Sequence, residues 1–215
     1  MPLLMIAATT KMKLSVMVVF FFMNNFSFIE KDKKFLLGLA RQSIAYFLQY
    51  HKPLEIDEKE LENYSPTIKQ KRGCFVTLTI DNELRGCIGC FESNKPLYQT
   101  IIEMAISAAF FDYRFSPLSK EELEQIKIEI SILTPPQELK YNDALDLLQK
   151  LKPLKHGVII TKGNYQATYL PQVWEQIPEK EEFLNSLCLK AGLPFDCWKK
   201  EKLDVKIYEV ESFKE

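Results

Sequence analysis

The chain has 215 residues, with 28 Lys and Arg against 29 Asp and Glu, and 47% of its residues are hydrophobic and 27% charged. That balance excludes a disordered or fibrous chain. The near-zero net charge argues against a duplex nucleic-acid binder, whose affinity comes mostly from Lys and Arg clustered on phosphates.

Residues 1–29 hold no acidic residue, and Leu14 to Met23 reads LSVMVVFFFM behind Lys11 and Lys13. A basic start followed by a short apolar run imitates a signal peptide. Asn24, Asn25, Phe26, Ser27 and Phe28 come next, however, without a small-residue cleavage pattern. The run is also shorter than the roughly 20 residues a spanning helix needs. Met1, Met5, Met12, Met17 and Met23 are all possible starts. Two readings of residues 1–28 therefore stay open: an apolar leader or non-native extension, and a genuine export or anchoring segment. Residues 29–215 are expected to form a single domain in two lobes.

Apolar residues recur at helical spacing from Glu30 to about Tyr50, and Pro53 closes that helix. A short acidic helix is expected around Asp57 to Asn63. Cys74 to Ile80 is a β-branched run, and Asp81-Asn82 joins it to a second run from Leu84, which predicts a hairpin. Pro96 to about Asp112 is a second amphipathic helix. Ser119 with Glu122 forms a capping box for a short third one. Ile126 to Leu133 alternates, with Ile126, Ile128, Ile130 and Ile132 on one face, until Pro135-Pro136 stops it. A helix near Asn142 to Lys150 follows. Gly157 to Ile160 and Tyr165 to Leu170 then read as two strands. Pro178 opens a helix running to about Ala191, ended by Gly192 and Pro194, and Leu203 to Val210 is expected to close the chain as one strand. Hairpins between helices, without regular βαβ alternation, predict an α+β fold.

Chemistry concentrates in Leu84-Arg85-Gly86-Cys87-Ile88-Gly89-Cys90. Strand parity places Leu84, Gly86, Ile88 and Cys90 on the core side, and Arg85, Cys87 and Gly89 on the other. A guanidinium beside a thiol favours the thiolate, and the two glycines leave room for a backbone or ligand to approach. The plain alternative is a small buried thiol on a glycine-bearing strand. Cys87 and Cys90 point to opposite faces of such a strand, so they neither pair nor chelate, and no metal site is expected. His156, just before a strand, is the one candidate base for Cys87. Asp112 and Arg114 form either a structural ion pair at a turn or the polar wall of a pocket. No phosphate-loop, dinucleotide, zincin or serine-hydrolase motif occurs. Cys74, Cys87, Cys90, Cys188 and Cys197 are an odd number without a dense framework. This suits free thiols in a reducing compartment, and hence the cytoplasm.

FVTL (from Phe75), LRGCIG (from Leu84), AISAAFFDYRFSPLSKEEL (from Ala105), EISIL (from Glu129), HGVII (from His156), LPQVWEQ (from Leu170) and LCLKAGL (from Leu187) occur in an order that resembles the AMMECR-type domain family. Its bacterial and archaeal members are called AmmeMemoRadiSam system protein A. The likeness runs from about Phe35 to Phe213. It implies a two-lobed α+β fold of antiparallel β-sheets flanked by helices, with a cleft between the lobes. It also implies a Memo-family protein and a radical-SAM enzyme as partners. The family signature falls on Arg85, Gly86, Cys87, Ile88 and Gly89, on Asp112, Arg114 and Phe115, on His156 and Gly157, and on Leu170, Pro171, Gln172 and Val173. Tyr113 stands where the family usually has Pro, and Cys90 where Thr or Ser is common. Two functions follow as expectations. One is an accessory protein holding a ligand, peptide or partner in the cleft through Arg85, Gly86, Gly89, Asp112, Arg114 and Gln172. The other is a thiol-dependent enzyme with Cys87 as nucleophile and His156 as base, in group transfer or hydrolysis. Neither requires a cofactor.

Overall fold

The computed structural model describes residues 28–215. The apolar run from Leu14 to Met23 lies outside them. Helices α1 (Glu30–Tyr50), α2 (Leu97–Phe110), α3 (Lys120–Leu123), α4 (Ala144–Lys150), α5 (Val173–Gln176), α6 (Lys180–Lys190) and α7 (Cys197–Lys200) accompany eight strands. These are β1 (Cys74–Ile80), β2 (Glu83–Cys90), β3 (Lys127–Leu133), β4 (Gln137–Glu138), β5 (Gly157–Lys162), β6 (Tyr165–Tyr169), β7 (Asp204–Tyr208) and β8 (Val210–Lys214). The strands build two antiparallel sheets, in the orders β2-β1-β3-β8 and β4-β7-β5-β6. The α+β expectation is met.

Each sheet has its own core. Cys74, Val76, Leu78, Ile128, Ile130 and Ile132 on the first sheet bury against Leu36, Leu39, Ile44, Ile101 and Ala105 of α1 and α2. Strict alternation in β3 is what allows this, since every second residue reaches one face. Val158, Ile160 and Val205 of the second sheet pack against Trp174, Phe183 and Leu187. There the Trp174 and Phe183 rings lie stacked with centroids 3.5 Å apart.

The chain passes between the sheets twice, at neighbouring points. The stretch from Leu203 to Val210, expected as one strand, is two strands in different sheets, β7 and β8, broken at Glu209. Thr134, just after β3, donates its N–H to the Glu209 carbonyl at 2.9 Å, and the Glu209 N–H donates to Thr134 Oγ1 at 2.8 Å. This pair clamps the outgoing and returning crossings together. Beside it Leu133, Ile159 and Tyr208 form a small third cluster with Phe75, Phe91 and Val210, drawn from both sheets.

One expectation about the cysteines is corrected. Cys188 of α6 and Cys197 of α7 are joined as a disulfide, so only Cys74, Cys87 and Cys90 are free. The intervening Gly192, at φ +78°, turns the chain back so that the two buried sulfurs meet. Among the described residues no helix is long and apolar enough to cross a membrane.

Candidate functional site

The β1–β2 hairpin turns on Asp81 and Asn82, both at positive φ, as a two-residue hairpin loop requires. From that turn Ile80 opposes Glu83 and Thr79 opposes Leu84, but Leu78 opposes Gly86. Arg85 is thus the extra residue of a β-bulge. The bulge reverses parity between Leu84 and Gly86. Gly86, Ile88 and Cys90 face the core opposite Leu78, Val76 and Cys74, as expected. Leu84 does not: it shares the outer face with Thr79 and stands 43% exposed.

Cys87 lies on that outer face opposite Thr77, whose hydroxyl donates to its Sγ at 3.3 Å. Because β2 is an edge strand, the Cys87 backbone groups point out of the sheet. Its N–H donates to Asp112 Oδ2 at 2.9 Å, and its carbonyl accepts from Arg114 Nη2 at 3.1 Å. Arg114 closes the unit by donating to Asp112 Oδ1 at 2.9 Å and Oδ2 at 2.6 Å. The Asp112 side chain is only 1% exposed. The Arg114 guanidinium holds its carboxyl well below the usual carboxylate range, helped by the N–H groups of Cys87 and Arg114 against the opposing cost of burial. Of the two roles open to this pair in the sequence, the geometry fits the structural one, a plug on the open edge of the sheet.

The expected pairing of Arg85 with Cys87 does not form. Arg85 donates through Nε to Glu122 Oε1 at 2.7 Å, and through Nη2 to Glu122 Oε2 and the Ser116 carbonyl, each at 2.9 Å. Its side chain is 11% exposed. Glu122 also accepts the Ser119 N–H at 2.9 Å, so the capping box of α3 doubles as the arginine's anchor. Arg85 lowers the Glu122 carboxyl below its ordinary value. The Phe115 ring lies 5.8 Å from the Arg85 guanidinium and 5.5 Å from that of Arg114. A bulge residue follows neither face of the ladder, and parity alone therefore misplaced this side chain.

The two glycines are filled by protein. A Cβ at Gly86 would overlap the Ala108 carbonyl of α2, and one at Gly89 would overlap the Phe75 ring and the Cys74 carbonyl. His156 belongs to the other half of the molecule. Its Nδ1 accepts the Lys152 N–H at 3.2 Å, and its carbonyl accepts from Trp174 Nε1 at 2.7 Å. Burial pushes the imidazole below its ordinary value. Among the described residues no hydrogen bond joins His156 to Cys87. Gln172 is exposed at the start of α5, and its side chain makes no capping hydrogen bond to that helix. No group of three or more His, Cys, Asp and Glu among the described residues could hold a metal ion.

Structure thus unites Thr77, Cys87, Asp112 and Arg114, with Arg85, Phe115 and Glu122 as a supporting cluster. Glu129, opposite Thr77 on its other side, extends the polar outer face. Thr77 was missed because a two-residue turn without a bulge would have set Gly86 against it. Towards β3 and β8 a hollow of about 250 Å³ is lined by Thr79, Lys127, Glu129 and Lys214. A second, of about 300 Å³, lies at the crossing of the sheets between Gly73, Phe91, Ser93, Leu133, Thr134 and Pro136. Neither is lined by Cys87, Asp112 or Arg114.

A family model described as AMMECR1 matches residues 37–213. Protein NEQ441 of Nanoarchaeum equitans is 44% identical over 185 residues, covering 84% of this chain and 98% of that relative. Protein MK0488 of Methanopyrus kandleri is 40% identical over 195 residues, covering 86% and 89%. The crystal structure of protein PH0010 from Pyrococcus horikoshii superposes with a TM-score of 0.73 at 36% identity, covering 88% of this chain and 94% of that one.

Proposed function

The chain belongs to the AMMECR1 family, and from that premise we propose that it is an accessory binding protein whose polar outer face of the first sheet receives a segment of a partner. The system it would serve is a cytoplasmic one, in which a Memo-family protein works with a radical-SAM enzyme. The observation that carries this reading is how the groups around Cys87 are engaged. Arg85 is committed to Glu122, and Arg114 to Asp112 and the Cys87 carbonyl. The Cys87 sulfur meets a hydroxyl, not an imidazole. A thiol nucleophile is activated by an adjacent base or by a neighbouring cation that favours the thiolate. Here His156 is held by Lys152 and Trp174 in the other half, and the Arg85 guanidinium is turned to Glu122. What the edge offers is an accessible strand face bordered by Leu84 and by Tyr113, which is 94% exposed. That shape suits a protein segment better than an enclosed small molecule.

Co-purification of the tagged full chain from its native host tests this. The Memo-family and radical-SAM proteins are expected to be captured by the wild type. Thr77→Lys, which sets a long cation on the outer face, is expected to reduce capture at least tenfold, while Glu62→Lys on a remote surface leaves it intact. Undiminished capture by a folded Thr77→Lys variant overturns the proposal. In parallel, Cys87 is expected to react with iodoacetamide at pH 7 no faster than free cysteine. A tenfold faster reaction would favour the alternative, a thiol-dependent group transfer or hydrolysis.

A further inference from the structure

Cys90, which the strand keeps apart from Cys87, has another partner. Cys74 and Cys90 stand directly opposite each other in the β1–β2 ladder, both on the core face. Opposed residues of an antiparallel pair hold their Cα atoms about 4.5–5.5 Å apart, inside the roughly 4.4–6.8 Å that a disulfide spans. The backbones are drawn together beside them by Gly73, where a Cβ would overlap the carbonyls of Phe91 and Cys90. Access to the two thiols is unequal. Cys74 is fully buried and Cys90 half-buried, with both sulfurs free. We propose that Cys74 and Cys90 are a cross-strand dithiol, entered at Cys90, that closes to a disulfide at the expense of a small-molecule disulfide of the glutathione type.

The steps balance. Cys90, as thiolate, attacks one sulfur of the small disulfide, forms a mixed disulfide and releases one small thiolate. That thiolate takes the proton of Cys74. The Cys74 sulfur then displaces the second small thiolate from Cys90, and this leaving group takes up the proton Cys90 had given to solvent. Two cysteine thiols are oxidised by two electrons in all, and one small disulfide is reduced to two thiols. Burial pushes the Cys74 thiol far above its ordinary range, which is why Cys90 is the point of entry. The new bond would lie one residue from Phe91, whose ring packs on Phe75 and Tyr208 between the sheets.

The test uses the full chain treated with oxidised glutathione at pH 8, then denatured in an alkylating agent and mapped without reduction. Trypsin, which spares the Lys95–Pro96 bond, places Cys74 in peptide 73–85 and Cys90 in peptide 86–114. The expected result is a covalent link between these peptides and a fall in alkylatable thiols from the three free cysteines to Cys87 alone. The link is expected to survive Cys87→Ser and to vanish in Cys90→Ser. In Cys74→Val, Cys90 is expected to stop at the glutathione mixed disulfide, a product that requires the folded entry step but not the partner. A Cys74 that is alkylated in full while wild-type Cys90 retains glutathione overturns the proposal. So does a link that is lost in Cys87→Ser.

Discussion

Gly86 sits where α2 crosses the edge strand, with the Ala108 carbonyl in the space a Cβ would fill. Backbone cannot rotate aside as a flexible side chain can, so any larger residue must part helix and strand. Gly86→Ala is accordingly expected to lose about 2 kcal/mol of stability, read as a lower urea midpoint at unchanged slope. An unaltered midpoint would mean that the helix is not held at that distance. Cys87 needs its neighbours for a different reason: an edge strand exposes unpaired N–H and C=O groups, a template for unwanted pairing. Asp112 and Arg114 occupy both groups of Cys87 at once. RGCIG was legible as an unusual string because few strands carry two glycines and an arginine. The destinations of its side chains were not legible, since they depend on Ala108, Phe75 and Glu122, each brought in by a different element.

At the scale of elements, α1 and the β1–β2 hairpin sit where their periodicities place them, because α1 buries one continuous stripe and the hairpin is set by its turn. The bulge at Arg85 is the exception, and it rotates everything between Leu84 and Gly86. The loop between α4 and β5 carries a second local constraint. His156 is buried with Nδ1 accepting a backbone N–H, so the fold holds the neutral imidazole and depresses its pKa. An unfolded histidine titrates near ~6.5. Below that pH the unfolded chain binds a proton that the folded chain refuses, so stability falls as pH drops from 7 toward 5 and is fully present above the unfolded value. His156→Gln keeps an acceptor without a titrating group, and its stability is expected to change less over this interval in urea unfolding. Equal slopes for the two proteins would contradict the assignment.

At the scale of the molecule, two sheets with separate cores are tied by the paired crossings at Thr134 and Glu209 and by one small aromatic cluster. Phe91 is central to the cluster, with its ring 5.3 Å from that of Phe75 and 6.1 Å from that of Tyr208. Phe91→Ala is expected to cost about 2 kcal/mol and to act locally. Amide exchange should accelerate at Leu133, Ile159 and Tyr208 and remain slow at Ile44 and Phe183, deep in the two main cores. Uniform acceleration across both cores would instead mean that the sheets open as one unit.

The sequence by itself determined the longer helices, the hairpins and the α+β class, because those follow from hydrophobic period and turn chemistry. The four-residue helices α5 and α7 and the two-residue strand β4 are too short to carry a period and appear only in the structure. It also singled out the stretch from Arg85 to Cys90. Tertiary structure alone decided that the last predicted strand divides between two sheets, that Cys188 meets Cys197, and that Arg114 rather than Arg85 touches Cys87. Each of these depends on a bulge, a turn or a crossing that brings distant segments into register, and a contact between distant segments leaves no period along the chain.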